Sequence, residues 1–186
     1  MDVTTAYNVY SVIAKVYSLL CSEKEDSPLR GMAERQFDLA LYELETFKLE
    51  SNPRECLNRA LTYLGSAYVN YRPTIKTWDF FDSNKVLWHK RSFANTICLY
   101  IAIIHYVLGN KAVGKKWLLD NLDDMGSIYF PKGIIETLSL PSEETFYKDL
   151  CQDDYGQLKA ILNRSDSNFQ DTFNSPSMEI IDPIYG

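Results

Sequence analysis

The sequence predicts an all-α protein, and three of its features lead to that prediction. Apolar residues recur every three or four positions through each long segment, which is the spacing of one helix face. No segment alternates apolar and polar residues as a half-buried strand would. Only 8 Gly and 7 Pro interrupt the 186 residues, so long helices can form. Because the connections are short, we expect an antiparallel helical-hairpin stack or bundle of about six to seven helices.

Two helices are expected before residue 50. The apolar face of the first is a regular series, namely Ala6, Tyr10, Ile13, Tyr17 and Leu20. A polar break from Ser22 to Pro28 separates it from a second helix, which should run from Leu29 to about Leu49. The buried stripe of the second helix is expected to consist of Met32, Ala33, Phe37, Ala40, Leu41, Leu44 and Phe47.

A third helix should run from Pro53 to about Tyr71. Asn52 can cap its start, and proline is favoured at the first helical position. The helix should stop before Arg72-Pro73, because a residue that precedes proline avoids the helical conformation. Residues 73–83 mix aromatic residues with turn formers, and we expect a loop or a short helical turn there.

Four more helical segments are expected in the second half. The first runs from about Asn84 to Leu108, where Gly109-Asn110 ends it, and the next from Lys111 to about Leu122. A short helix is expected from Pro131 to Leu140. Ser142 and the two acids after it favour the start of a last helix, which should run to about Leu162.

These elements predict one all-α domain over residues 1–164. Residues 165–186 are rich in Ser, Asp, Asn and Pro and have little periodicity, so we expect an acidic C-terminal tail that is partly disordered or docked. The core positions that we expect to be buried are Leu64, Ala67, Ile101, Ala102 and Leu118.

The cysteines and the apolar runs bear on compartment and cofactors. Cys21, Cys56, Cys98 and Cys151 lie in apolar helical contexts without any CxxC pair, which is typical of buried thiols in a cytoplasmic protein. No secretory signal is recognised, and the run from Ile97 to Leu108 is too short to span a membrane. Neither His lies at a metal-ligand spacing from a Cys, so we predict no metal site and no cofactor.

Charge is unevenly distributed along the chain. The net charge is −6, yet the segment from Lys85 to Leu119 contains no Asp or Glu. Its cations are Lys85, Lys90, Arg91, Lys111, Lys115 and Lys116. The acidic remainder disfavours general nucleic-acid binding by the whole chain, whereas this segment could meet a negatively charged partner.

Aromatic residues accompany these cations. The sequence Trp88-His89-Lys90-Arg91 could contact a phosphate or a stacked base, or it could be a helix start with a buried Trp and solvated cations. Trp78 and Phe81 could be core residues or interface anchors. The residues that we expect to contact a partner are Trp78, Phe81, Trp88, His89, Lys90, Arg91, Lys111, Lys115 and Lys116.

No catalytic residue is predicted. His105 lies in an apolar stripe, where a hydrogen-bonded core histidine is the simplest interpretation. It lies two helical turns from Cys98, about 10 Å along the axis, which is too far for a nucleophile and its base. Neighbouring acids such as Glu143 and Glu144 point about 100° apart on a helix and do not form a catalytic pair.

Two segments resemble tetratricopeptide repeats. The run from Leu61 through Leu64-Gly65 to Tyr68 has the spacing of large and small residues found in the first helix of such a repeat. Further residues fall roughly where that family places its packing residues, namely Ala102, His105, Leu108, Gly109, Gly114 and Leu118. The resemblance implies a tetratricopeptide-like helical scaffold that binds a partner and does not catalyse a reaction.

The sequence therefore predicts a non-enzymatic protein-binding adaptor or inhibitor. It would act through a helical groove with a basic face, and its partner would be another protein with an acidic surface. The alternative is a helical module that binds a nucleotide or a nucleic acid through residues 85–116.

Overall fold

The computed structural model describes residues 27–75 and 83–173, and these residues form helices without any strand. The predicted all-α class is therefore confirmed for this part of the chain. The α-helices are α1 (Ser27–Thr46), α2 (Pro53–Tyr71), α3 (Ser83–Val107), α4 (Lys111–Asn121), α5 (Gly133–Leu138), α6 (Glu143–Cys151) and α7 (Tyr155–Phe173). Short 3₁₀ turns follow three of them, at Phe47–Leu49, Arg72–Thr74 and Gln152–Asp154. The tetratricopeptide-like stacking stays a prediction.

Helices α1 and α2 lie side by side and run in opposite directions. Near the end of α1, the carbonyl oxygen of Glu43 accepts a hydrogen bond from the thiol of Cys56 at the start of α2, at 2.7 Å. At the other end of the pair, Nδ2 of Asn70 donates to Oε1 of Gln36 at 2.9 Å. These two contacts fix the relative direction of the helices.

The bounds of α2 agree with the sequence prediction. The side chain of Asn52 accepts a hydrogen bond from the backbone N–H of Glu55, and Pro53 is the first helical residue. The helix ends at Tyr71, and the following Arg72–Thr74 turn contains Pro73. Arg72 keeps a helical backbone (φ −54°, ψ −41°), which differs from the expected conformation before proline; the helix ends because Pro73 has no N–H to continue the hydrogen-bond ladder.

One member of the predicted buried stripe of α1 faces solvent. Met32 is 41% exposed, because it lies about 100° around the helix from its buried neighbour and α1 packs on one side only. The rest of the stripe is buried or, for the last residue, half-buried, namely Ala33, Phe37, Ala40, Leu41, Leu44 and Phe47.

Helix α3 is the most enclosed helix among the described residues. Positions 92–104 are all buried, which requires packing on every side of the helix. The helix ends before Gly109, whose φ of +85° suits a residue without a Cβ, and the N–H of Asn110 donates to the carbonyl oxygen of His105. Burial is confirmed for the predicted core positions Leu64, Ala67, Ile101, Ala102 and Leu118.

The C-terminal helix of the sequence prediction is two helices in the structure. Gln152 has a positive φ (φ +47°, ψ −116°), which interrupts the helical hydrogen-bond ladder between α6 and α7. Helix α7 then continues to Phe173, beyond the predicted end at Leu162 and through the start of the predicted tail. Ser165 is buried there, and its hydroxyl donates to the carbonyl oxygen of Gly126 at 2.6 Å, which holds this part of α7 against the 123–127 loop.

Several sequence predictions fall outside the described residues. These are the first helix, Cys21, the aromatic residues Trp78 and Phe81, and the tail from residue 174 onward.

Candidate protein-interaction surfaces

The cluster that begins at Trp88 does not form the exposed basic surface that the sequence predicts. Trp88 belongs to α3, and its side chain falls outside the structural description. His89 and Lys90 are only 5% and 3% exposed. The ammonium group of Lys90 donates to the carbonyl oxygen of Thr74 at 3.2 Å, inside the protein. His89 and Lys90 are buried because α3 is covered on all sides and the residues at its start pack under the 72–74 turn.

Arg91 takes part in an internal ion pair. Its guanidinium lies 3.0 Å from a carboxylate oxygen of Asp123, and both side chains are mostly buried. The same oxygen accepts the backbone N–H of Met125 at 2.9 Å. Arg91 therefore serves to hold the connection after α4 against α3.

Residues 123–127 form a loop that is held on α3 by several hydrogen bonds. Asn95 both donates to the carbonyl oxygen of Asp123 and accepts its N–H, each at 2.7 Å. The N–H of Ser127 donates to the hydroxyl of Ser92 at 2.8 Å. Gly126 approaches so closely that an added Cβ would lie 2.6 Å from the backbone nitrogen of Ser92. These hydrogen bonds hold the backbone of the 123–127 loop on α3, whereas the buried hydroxyl of Ser127 has no partner among the described residues, and we assign the loop a structural role.

Helix α4 carries the outward-facing cations of the acid-free segment. The Lys111 ammonium group lies 2.8 Å from a carboxylate oxygen of Asp149, and the hydroxyl of Tyr106 donates to the same oxygen at 2.6 Å. Lys111 also lies over the Tyr106 ring, with 5.3 Å between Nζ and the ring centroid. The hydrogen bonds from Lys111 and then from Tyr106 lower the pKa of Asp149, and the bond to Asp149, with burial second, raises the pKa of Tyr106 to about 12.

The remaining two lysines of α4 differ in their surroundings. Lys115 is half-buried, and its ammonium group donates to Asp154 at 2.9 Å, which raises the pKa of Lys115. Lys116 is exposed, and so is Val113 one turn before it. We call Lys111, Lys115 and Lys116 the α4 basic surface. It is separate from the buried pair at positions 89 and 90, so the predicted continuous basic face is divided into an internal part and an external part.

The acids that pair with these cations were not found by sequence reasoning. Asp123, Asp149 and Asp154 lie 32 to 39 residues from the cations that they meet. No local spacing relates such distant residues, and only the fold brings them together. The contact roles of the nine predicted residues stay a prediction.

The outer face of α1 displays apolar side chains that the sequence analysis did not single out. Met32, Leu39, Tyr42 and Leu49 are 41%, 46%, 62% and 86% exposed. Their spacings of seven, three and seven residues place them within an arc of about 100° along α1 and the turn that follows it. We call these four residues the α1 seam. The spacing itself was a readable signal, because it is the a/d pattern of a heptad repeat.

The thiols and the second histidine are held inside the protein. Cys56, Cys98 and Cys151 are buried and form no disulfide, as predicted. Burial, as the largest cause, raises their thiol pKa values to about 11, 12 and 11, so they stay protonated and are weak nucleophiles. His105 is half-buried and its Nδ1 has no hydrogen-bond partner, which differs from the predicted hydrogen-bonded histidine; burial lowers its pKa.

Residues 27–75 and 83–173 contain no group of three or more His, Cys, Asp or Glu side chains that could hold a metal ion. Within the same ranges, no helix combines the length and the apolar character that crossing a bilayer requires.

The chain matches no protein-family model, and no curated protein or solved structure is significantly similar to it.

Proposed function

We propose that this chain is a non-enzymatic protein-binding module, an adaptor or an inhibitor, whose partner presents an acidic surface. The outer side of α4 carries the proposal. There Val113 is apolar and exposed, and Lys116, one turn further along the helix, is exposed as well. Lys111 is the first residue of the same helix. Apolar contact supplies affinity in protein interfaces, whereas complementary charge supplies orientation and a fast encounter.

The acids beside the α4 basic surface support binding rather than prevent it. An ammonium group has three N–H donors, and Asp149 and Asp154 each accept from one lysine, so donors are left for a partner's carboxylates. Lysines that are already held in place lose less conformational freedom on binding than unrestrained ones. The pairs therefore orient Lys111 and Lys115, while Lys116 supplies a further exposed charge.

A matched pair of charge variants tests this proposal. In the full-length protein, Lys111→Ala together with Lys116→Glu cancels the net positive charge of the α4 basic surface. Lys132→Ala together with Lys159→Glu makes the same change in the net charge of the chain, at exposed sites elsewhere. Partners are isolated from cells that express this chain, and association rates are measured at several salt concentrations. We expect the α4 variant to associate at least tenfold more slowly at low salt and the control to match the parent.

The results separate the possible outcomes. Equal rates for the α4 variant and the control would contradict the proposal, provided that both variants melt like the parent. The alternative ligand is tested with a fluorescent single-stranded oligonucleotide. Binding that weakens steeply with salt and is lost in the α4 variant would favour the nucleic-acid alternative over an acidic protein.

A further inference from the structure

We infer that the α1 seam binds a second copy of this chain, with the two α1 helices packed side by side in opposite directions. The seam consists of Met32, Leu39, Tyr42 and Leu49 on the outer side of α1. The inner side of the same helix is already occupied by core residues such as Phe37 and Leu44. Helix α1 thus has two apolar faces, and the outer one is exposed among residues 27–75 and 83–173.

The spacing of the seam identifies the second copy as that partner. In an antiparallel pair related by a two-fold axis, residue i opposes residue j when the sum of their numbers is constant. That sum is 81 for Met32 with Leu49 and also 81 for Leu39 with Tyr42. The four residues are therefore self-complementary about a point between Ala40 and Leu41. A binding face for an unrelated partner does not need this symmetry.

The axial positions support the same register. Met32 lies 8.5 residues before the midpoint, about 13 Å at the α-helical rise of 1.5 Å per residue. Between the midpoint and Leu49 lie 5.5 α-helical residues and one 3₁₀ turn. Their combined length is about 14 Å, because the rise per residue is larger in a 3₁₀ turn than in an α-helix. The outer pair of side chains therefore meets within about 2 Å. Leu39 and Tyr42 each lie about 2 Å from the midpoint and meet at the centre.

The polar residues along the seam are compatible with this register. Arg35 lies between the apolar positions of the stripe and would oppose Thr46 of the second copy. Glu45 lies on one flank next to Thr46, so the guanidinium of Arg35 from one copy lies near the carboxylate of Glu45 in the other. A polar residue within a helix seam typically fixes register and orientation.

A mass measurement tests whether the seam associates. Sedimentation equilibrium of the full chain over a concentration series should give twice the chain mass of 21.5 kDa at the high end. Leu39→Glu should raise the dimer dissociation constant at least a hundredfold. Val69→Glu, on an exposed apolar residue of α2, is the matched control and should leave it unchanged. A parent that is monomeric at every concentration overturns the inference, and so does a dimer that Leu39→Glu leaves intact.

Cross-linking tests the register independently of stability. In a Cys21→Ser background, Met32→Cys and Leu49→Cys are made as separate full-length variants, mixed and oxidised. We expect a disulfide-linked dimer in the mixture and little in either variant alone. Cross-linking of the Met32→Cys variant with itself would indicate parallel helices, and no disulfide-linked dimer in the mixture would indicate that the two positions do not meet; either result overturns the inference.

The self-association does not depend on the α4 basic surface. Failure of the α4 charge variants to slow partner binding would leave the dimer unaffected, and a monomeric chain would leave the α4 proposal unaffected. If both hold, a dimer presents two α4 surfaces, and binding to a partner with two acidic sites becomes stronger through effective concentration.

Discussion

The two ends of the acid-free segment use similar cations in opposite ways. At its beginning, Lys90 is buried against a backbone carbonyl and Arg91 is paired with Asp123 inside the protein. At its end, Lys111 and Lys115 lie on the surface, each beside a single carboxylate. The first pair holds a turn and a loop on α3, whereas the second remains accessible to other molecules. A run of cations in a sequence therefore does not indicate a surface charge until the packing around its helices is known.

The difference follows from how the two helices are enclosed. Helix α3 is buried over positions 92–104, so residues just before that stretch are also covered by neighbouring turns. Helix α4 buries only its small and apolar side, where Gly114 lies against the backbone of Ala102 and the side chain of Leu150. Its other side stays in water, where cations are stable without complete pairing.

The largest expected effect on stability comes from reversing the charge of a cation at the internal end of the segment, with the same reversal at the external end for comparison. Lys90→Glu places a carboxylate beside the carbonyl oxygen of Thr74 in a buried location, and we expect a loss of about 3–5 kcal/mol in the free energy of unfolding. Lys116→Glu makes the same change of charge on an exposed residue and should alter it by no more than about 0.5 kcal/mol. Urea denaturation of both variants measures the contrast.

Lys90→Met refines this comparison. It keeps the length of the side chain and removes the charge, so the loss should be smaller than for Lys90→Glu. Equal stability of Lys90→Glu and Lys116→Glu would show that Lys90 is solvated, and the distinction between the two ends of the segment would fail.

A glycine pair tests how tightly the 123–127 loop is held at the internal end. In Gly126→Ala the new Cβ would lie 2.6 Å from the nitrogen of Ser92 and 2.7 Å from the carbonyl carbon of Arg91, both backbone atoms that cannot rotate away. We expect a loss of about 2–3 kcal/mol as the loop is displaced. Gly156→Ala in α7 meets no atom within 4 Å and should be neutral or stabilising by up to about 1 kcal/mol. Thermal and urea unfolding check both values.

Hydrogen exchange distinguishes a local effect from a global one. If the loop is displaced in Gly126→Ala, the N–H of Ser127 should lose protection, since its acceptor is the Ser92 hydroxyl. Parent-like stability together with unchanged protection at Ser127 would mean that the close approach of the loop to α3 is not maintained in solution.

Local sequence information determined much of the helical architecture. The ends of α2 follow from the Asn52 cap and from Pro73, which has no N–H to continue the helical hydrogen-bond ladder, and both act within a few residues. The burial of Ile101 and Ala102 follows from helical periodicity in an apolar run. Such signals need no knowledge of the rest of the fold.

The remaining features depend on contacts between distant residues. The end of α6 could not be predicted, because Gln152 adopts a positive φ that its residue type does not favour. The extension of α7 to Phe173 accompanies the hydrogen bond from Ser165 to Gly126, 39 residues away. The division of the basic segment has the same origin, since Asp123 and Asp149 are far from Arg91 and Lys111 in sequence.

The smallest expected effect concerns the external end and depends on pH. Hydrogen bonds from Lys111 and Tyr106 lower the pKa of Asp149 below its ordinary value of 3.8. A carboxyl group whose pKa is lowered by folding stabilises the fold at pH values above its ordinary pKa. The stabilisation is lost as the pH falls through the lower folded-state pKa. Asp149→Asn should therefore melt below the parent between about pH 5 and pH 8, and the two melting temperatures should converge as the pH falls below 3.8 and through the lower folded-state pKa. Glu136→Gln, an exposed acid on α5, is the control and should show no such convergence. A constant difference between Asp149→Asn and the parent at all pH values would mean that the charge of the Asp149 carboxylate does not stabilise the fold and that its pairing with Lys111 contributes nothing.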